Sequence, residues 1–135
     1  MKTRPTLTAA DARVIATAAE REALTNGWAV SIAVVDDGGH LWWLQRLDGA
    51  PPISAQIAPA KAHTAAVGRR ESKVYEDMIN QGRVSFLSAP VLHGMLEGGV
   101  PIMVEGQCVG AVGVSGVKPG QDAQIARAGI AAVVT

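Results

Sequence analysis

The chain has 135 residues, which is enough for a single domain with a hydrophobic core over residues 1–135 and too few for two. Twelve basic residues balance twelve acidic ones, and neither sign forms a run longer than two residues. Nucleic acid and membrane surfaces are therefore not predicted as partners. The apolar fraction of 48% with only 18% charged residues instead predicts buried subunit contacts, and so a homo-oligomer.

Cysteine content and the N-terminal segment indicate the compartment. Cys108 is the only cysteine, so no disulfide can form within the chain and nothing demands an oxidising environment. The N-terminal residues form neither a signal-peptide apolar stretch nor a membrane span. We expect a cytoplasmic protein.

Hydrophobic periodicity and turn residues divide the chain into four helices and two hairpins. Each pair of predicted strands is joined by a short turn containing glycine, which tolerates a positive φ. The predicted helices span residues 8–26, 60–68, 73–81 and 121–133, and the predicted strands span residues 28–35, 41–47, 100–104 and 107–114.

Local signals predict where these helices begin. Thr8 with Asp11 three residues later resembles a capping box. Pro59 is expected in a first helical turn, where its missing N–H costs nothing, and Ser72 is expected to cap the third helix.

The segment of residues 83–97 gives a weaker pattern, because serine, proline and glycine interrupt its apolar residues. At most a short strand over residues 91–95 is predicted there. The absence of a βαβ alternation predicts an α+β domain with an antiparallel sheet and helices packed against it.

Three stretches, at the same separations as in a known family, cover nearly the whole chain. They comprise residues 34–40 running on to 46–50, then 57–65, and then 98–102 running on to 109–116. In these stretches the chain resembles the GlcG/HbpS family (DUF336-like), whose members are labelled haem-binding or haem-degrading. The resemblance implies a five-stranded antiparallel sheet flanked by helices, of the profilin or roadblock type, in a multimer with pockets near subunit contacts.

The chain also departs from the usual family pattern. Val117 stands where a second glycine usually follows Ser-Gly, and Ala123 stands where an acidic residue is common. The first helix, where the corrinoid-enzyme branch places its ligand, contains no histidine here.

Four residues are candidates for lining a pocket. Lys61 lies in an alanine-rich helix, where a long cation either reaches water or points into a pocket toward an anionic ligand. The Gly98-Gly99 pair suits close approach of a ligand, or simply a bend into a strand. Arg46 suits a carboxylate clamp, or a salt bridge to Asp36 or Asp48 within the hairpin.

The three histidines lie on a turn, a helix and a loop, and no pair has the short spacing of a metal site, so no metal is predicted. His40 and His63 are candidate ligand-binding residues, since one axial histidine suffices for haem. His93 and Glu97, just before the glycine pair, suit proton transfer, or form an exposed loop pair.

Three functions remain open at this point. The resemblance implies a small-molecule-binding protein, with haem or another tetrapyrrole as its ligand or slowly degraded substrate. The residues also suit a cofactor-independent isomerase, lyase or hydrolase that uses Lys61, His93 and Glu97 as catalytic groups on a small anionic substrate. A non-catalytic oligomeric accessory protein is the third.

Overall fold

The computed structural model describes residues 1–134 as four α-helices, one short 3₁₀ helix and a single sheet. The helices are α1 (Ala9–Thr25), α2 (Ser54–Gly68), α3 (Ser72–Asn80) and α4 (Pro119–Ile130), the 3₁₀ helix spans Val84–Ser88, and the strands are β1 (Ser31–Asp36), β2 (Leu41–Arg46), β3 (Gly99–Val104) and β4 (Gln107–Ser115).

The sheet has the order β2-β1-β4-β3, and every neighbouring pair is antiparallel. The two predicted hairpins are therefore confirmed, and they meet where β1 pairs with β4. Glu105 (φ 52°) and Gly106 (φ 75°) form the tight turn of the second hairpin, as the sequence predicts.

The expectation of five strands is wrong for the described residues, because the segment of residues 91–95 is a loop. Val91 (φ 58°) and Gly94 (φ 60°) both have left-handed backbone conformations, which cannot continue a strand. A Cβ on Gly94 would lie 2.9 Å from backbone and side-chain atoms of Ala60, so the loop runs directly against α2. Pairing with the sheet is replaced there by packing on a helix.

The two faces of the sheet are covered differently. Ile32 and Val34 point toward α1 and α4, where the larger apolar cluster lies. Ala33 and Val35 point toward α2 and join a smaller cluster of mostly alanine side chains. Small side chains on this second face let α2 approach the sheet closely, which brings residues of α2 against the backbone of β4.

Helix starts match the sequence at α1 and differ at α2 and α3. The Thr8 and Asp11 capping box of α1 is confirmed, with both reciprocal hydrogen bonds present. Helix α2 begins at Ser54, so Pro59 lies inside the helix rather than in its first turn. Ser72 does not cap α3, because its hydroxyl instead accepts a hydrogen bond from the Gly99 N–H at 2.8 Å.

The two edges of the sheet have different chemistry. Edge strand β3 contains Pro101, which has no N–H to offer to another strand. Edge strand β2 has no proline, and Leu41, Trp42 and Leu44 are exposed on it. Strand β2 is thus the edge open to further pairing.

Candidate functional site

Lys61 is buried in the centre of the molecule, with only 4% of its surface exposed. Its Nζ donates to Asp122 Oδ2 at 3.1 Å and to the Val114 carbonyl oxygen at 3.0 Å. The side chain therefore neither reaches water nor faces an open pocket. Instead it links α2 to β4 and α4.

Asp122, in the first turn of α4, is the partner that sequence reasoning missed. Its second carboxylate oxygen accepts from the Val117 N–H at 3.2 Å. Burial raises the pKa of Asp122, and the Lys61 ammonium and the hydrogen bonds to the carboxylate oppose that shift. The only sequence signal was an acidic residue near a helix N-terminus, which is common and does not specify a buried ion pair.

The glycine pair does come together with Lys61, and the geometry explains why both residues are glycine. A Cβ on Gly98 (φ 133°) would lie 2.7 Å from Lys61 Nζ, and one on Gly99 would lie 2.2 Å from the Lys61 carbonyl oxygen. Both glycines are buried, and the Gly99 N–H is already donated to Ser72. The pair forms a bend into β3 that packs around Lys61.

An open groove lies beside this bend, between α3, the 3₁₀ helix and the loop that precedes β3. Its volume is about 320 Å³, and its walls are mainly apolar, with one carboxylate and one amide. The lining residues are Glu76, Ile79, Asn80, Leu87, Gly94, Met95 and Leu96. This volume lies at the lower end of the range for small-molecule pockets.

Glu97 and His93 flank the groove on the same loop. The Glu97 N–H donates to Glu76 Oε2 at 3.2 Å, which fixes the Glu76 carboxylate at the loop backbone. The His93 carbonyl oxygen accepts from the Thr64 hydroxyl of α2, while the residue itself is exposed. A helix thus anchors the His93 backbone and leaves its imidazole in solvent.

The three residues predicted as catalytic do not form one hydrogen-bonded set within residues 1–134. The Lys61 ammonium packs against Gly98, where a Cβ would collide with it. Glu97 directly precedes that glycine in the chain, and His93 lies four residues before Glu97. The role of these residues in proton transfer stays a prediction.

The other two histidines each contact the turn between β1 and β2, His40 from the turn itself and His63 from α2. His63 Nδ1 lies 3.3 Å from the Gly39 carbonyl oxygen, and His40 Nδ1 lies 3.3 Å from Asp36 Oδ1. Burial of Asp36 opposes its ionisation, but hydrogen bonds from the His40 and Gly38 N–H groups outweigh this and lower its pKa. Both imidazoles thus already have a partner in the hairpin.

Arg46 pairs with neither Asp36 nor Asp48 in the described part of the chain. Its Nε donates to the Ala50 carbonyl oxygen at 3.0 Å, which closes the loop after β2. Neither a carboxylate clamp nor the expected salt bridge is formed, so its ligand-binding role stays a prediction.

Residues 7–131 match the family described as "Haem degrading protein HbpS-like". The chain belongs to this HbpS-like family. The Protein GlcG of Escherichia coli strain K12 is 56% identical over 115 residues, which cover 85% of each chain.

Solved structures of HbpS-like proteins share the fold. A double mutant of Streptomyces reticuli HbpS is 32% identical, with a TM-score of 0.89, and the match covers 100% of this chain and 92% of the other. A complex of PduOC with haem is 27% identical, with a TM-score of 0.85 and 96% of each chain covered. The family resemblance drawn from the three sequence stretches is confirmed.

Two further findings apply to the HbpS-like chain within residues 1–134. None of the helices is both long and apolar enough to cross a membrane. No three His, Cys, Asp or Glu side chains lie close enough together to hold a metal ion among themselves.

Proposed function

We propose that this HbpS-like chain binds a haem-type tetrapyrrole in the groove beside His93. The observation that carries the proposal is that His93 is exposed on an anchored backbone and directly precedes Gly94, which lines an apolar groove of about 320 Å³. Similarity to a protein solved in complex with haem supports the choice of ligand class. The haem-degrading description of the family supports it as well.

The residues at the groove suit haem in two respects. A single histidine is sufficient as an axial ligand to haem iron, and among the three histidines His93 is the one adjacent in the chain to a residue that lines the groove. Apolar walls formed by Ile79, Leu87 and Leu96 suit the face of a macrocycle. When bound, haem would supply an iron centre whose reactivity depends on the axial ligand and on the polarity around it.

The charges around the groove decide how the carboxylates of a tetrapyrrole would be held. Glu76 is directed to the Glu97 N–H, and Lys73 is paired with Asp77 at 2.6 Å. Arg83 forms no ion pair within the described residues, and its guanidinium lies 5.6 Å from the centre of the Phe86 ring on the 3₁₀ helix. Arg83 is therefore a cation available to an anionic group at this end of the molecule.

Lys61 has no part in this proposal, because Asp122 and the Val114 carbonyl oxygen already use its ammonium group. The residues that would act on the ligand are His93 as axial ligand, the apolar walls as contact surface and Arg83 as counter-charge.

Haemin titration of the purified chain tests the proposal. We expect haemin binding to shift the Soret band, with saturation at one haemin per chain. We expect His93→Ala to abolish that shift. His40→Ala and His63→Ala are matched controls and should retain the wild-type spectrum. An unchanged haemin spectrum with the wild-type chain, or an unaltered band with His93→Ala, would contradict the proposal.

A further inference from the structure

A second cleft lies at the C-terminal end of α1. Its volume is about 450 Å³, and it opens between the end of α1 and the loop after β2. The residues that line it are Glu20, Leu24, Gly27, Trp28, Ala29, Leu47 and Asp48. It shares no lining residue with the groove beside His93.

Negative charge dominates this cleft. Its described lining includes the carboxylates of Glu20 and Asp48 and no Lys or Arg. Neither carboxylate forms an ion pair or a side-chain hydrogen bond within residues 1–134. Arg21, which follows Glu20, lines a neighbouring depression on α1 rather than this cleft.

The C-terminal end of α1 adds to the negative electrostatic potential of the cleft. The C-terminus of an α-helix carries a partial negative charge, and the last turn of α1 contains no basic residue to offset it. Gly27, with φ 70°, ends the helix at the cleft, and a Cβ there would meet open space. The cleft is therefore attractive to a cation and has room for one.

The walls of the cleft indicate what kind of cation fits. Trp28 is half-buried against the core, and Leu47 is buried beneath the cleft, so a ligand would meet an indole ring and apolar surface. Tryptophan is the aromatic side chain that best attracts an ammonium group through its ring. A strongly hydrated metal ion gains nothing from such walls, whereas an organic ammonium with an apolar body does.

We propose that this cleft binds a small organic cation of the alkylammonium class, between the Trp28 indole and the carboxylates of Glu20 and Asp48. The two carboxylates and the end of α1 attract the charge, and Trp28, Leu24 and Leu47 contact the alkyl groups. The site does not depend on haem binding.

Titration with choline, followed by the indole N–H resonances in an NMR spectrum, tests this proposal. The chain has three tryptophans, and Trp42→Phe and Trp43→Phe assign the Trp28 resonance by elimination, since neither Trp42 nor Trp43 lines the cleft. We expect choline to shift the Trp28 resonance saturably and to leave those of Trp42 and Trp43 in place. The neutral isostere, in which a quaternary carbon replaces the nitrogen, should bind at least about threefold more weakly.

Charge variants separate a specific site from general attraction. Glu20→Gln and Asp48→Asn should each weaken choline binding at least about threefold, since each removes one carboxylate from the cleft. Glu105→Gln, at the exposed turn between β3 and β4, makes the same change in net charge and should bind as the wild type does. Equal binding of choline and its isostere, no saturable Trp28 shift, or equal effects of all three variants would overturn the proposal.

Discussion

At the scale of single residues, the centre of this molecule is an ion pair rather than an open catalytic pocket. The Lys61 and Asp122 side chains are only 4% and 3% exposed, and each also bonds to backbone groups. The cost of removing these two charges from water is offset by their mutual attraction and by their hydrogen bonds. Glycines at 98 and 99 leave the space that this arrangement requires.

Removal of one partner of this pair should destabilise the fold strongly. We expect Lys61→Met and Asp122→Asn each to lower the free energy of unfolding by about 3–5 kcal/mol, because a buried charge or acid group then lacks its partner. The double variant Lys61→Met with Asp122→Leu should lose less than the sum of the two single changes. Urea denaturation followed by circular dichroism measures all three.

An exposed ion pair provides the control for that prediction. Lys73 and Asp77 are paired on the surface of α3, where solvent screens their attraction. Lys73→Met should leave the urea midpoint close to that of the wild type. If Lys61→Met behaved in the same way, the buried pair would not have the structural role assigned to it.

At the scale of secondary structure, close approach of α2 to the sheet determines which residues β4 can carry. A Cβ on Gly113 would lie 2.0 Å from the Ala58 carbonyl oxygen and 2.5 Å from the Ala62 nitrogen, both backbone atoms of α2. Alanines 58 and 62 are themselves fully buried. Small residues on both elements are therefore required where they cross.

Gly113→Ala should separate α2 from β4 and lower the free energy of unfolding by about 1–3 kcal/mol, as other overpacked cores do. Gly120→Ala is the matched control, because a Cβ there meets nothing and the residue lies in the first turn of α4. That change should leave stability unchanged or raise it by up to about 1 kcal/mol. Thermal and urea unfolding of the two variants compare them directly, and similar losses for both would contradict the packing explanation.

At the scale of the whole molecule, one edge of the sheet exposes apolar side chains. Strand β2 leaves one edge of its backbone unpaired and exposes Leu41, Trp42 and Leu44, while β3 at the opposite edge contains Pro101. We propose that the predicted homo-oligomer forms through β2, since an unpaired apolar edge strand favours association with a second copy.

Leu44→Lys should shift the chain toward the monomer, because it places a charge in the middle of the exposed edge strand. Analytical ultracentrifugation of wild type and variant at the same concentrations gives the mass of each. Leu24→Lys, which changes an exposed leucine on α1 in the same way, is the control. A monomeric wild type, or an equal shift with both variants, would contradict an interface at β2.

The sequence by itself predicted the presence of the four α-helices, the two hairpins and the family, although not the start of α2 at Ser54. These features depend on local signals such as the Thr8 capping box, the Glu105-Gly106 turn and the unbroken run of apolar residues along β1. Such signals act over a few residues, so they can be read without knowing which elements pack together.

Only the tertiary structure decided the surroundings of the candidate site residues. Lys61 and Asp122 are 61 positions apart, and only the packing of α2 against β4 and α4 shows that Lys61 has a buried partner. Tertiary packing also explains why Ser72 accepts a hydrogen bond from the Gly99 N–H instead of capping α3. The segment predicted as a possible fifth strand is a loop because it packs against α2. Contacts of this range depend on how whole elements fit together, and no local pattern of residues specifies them.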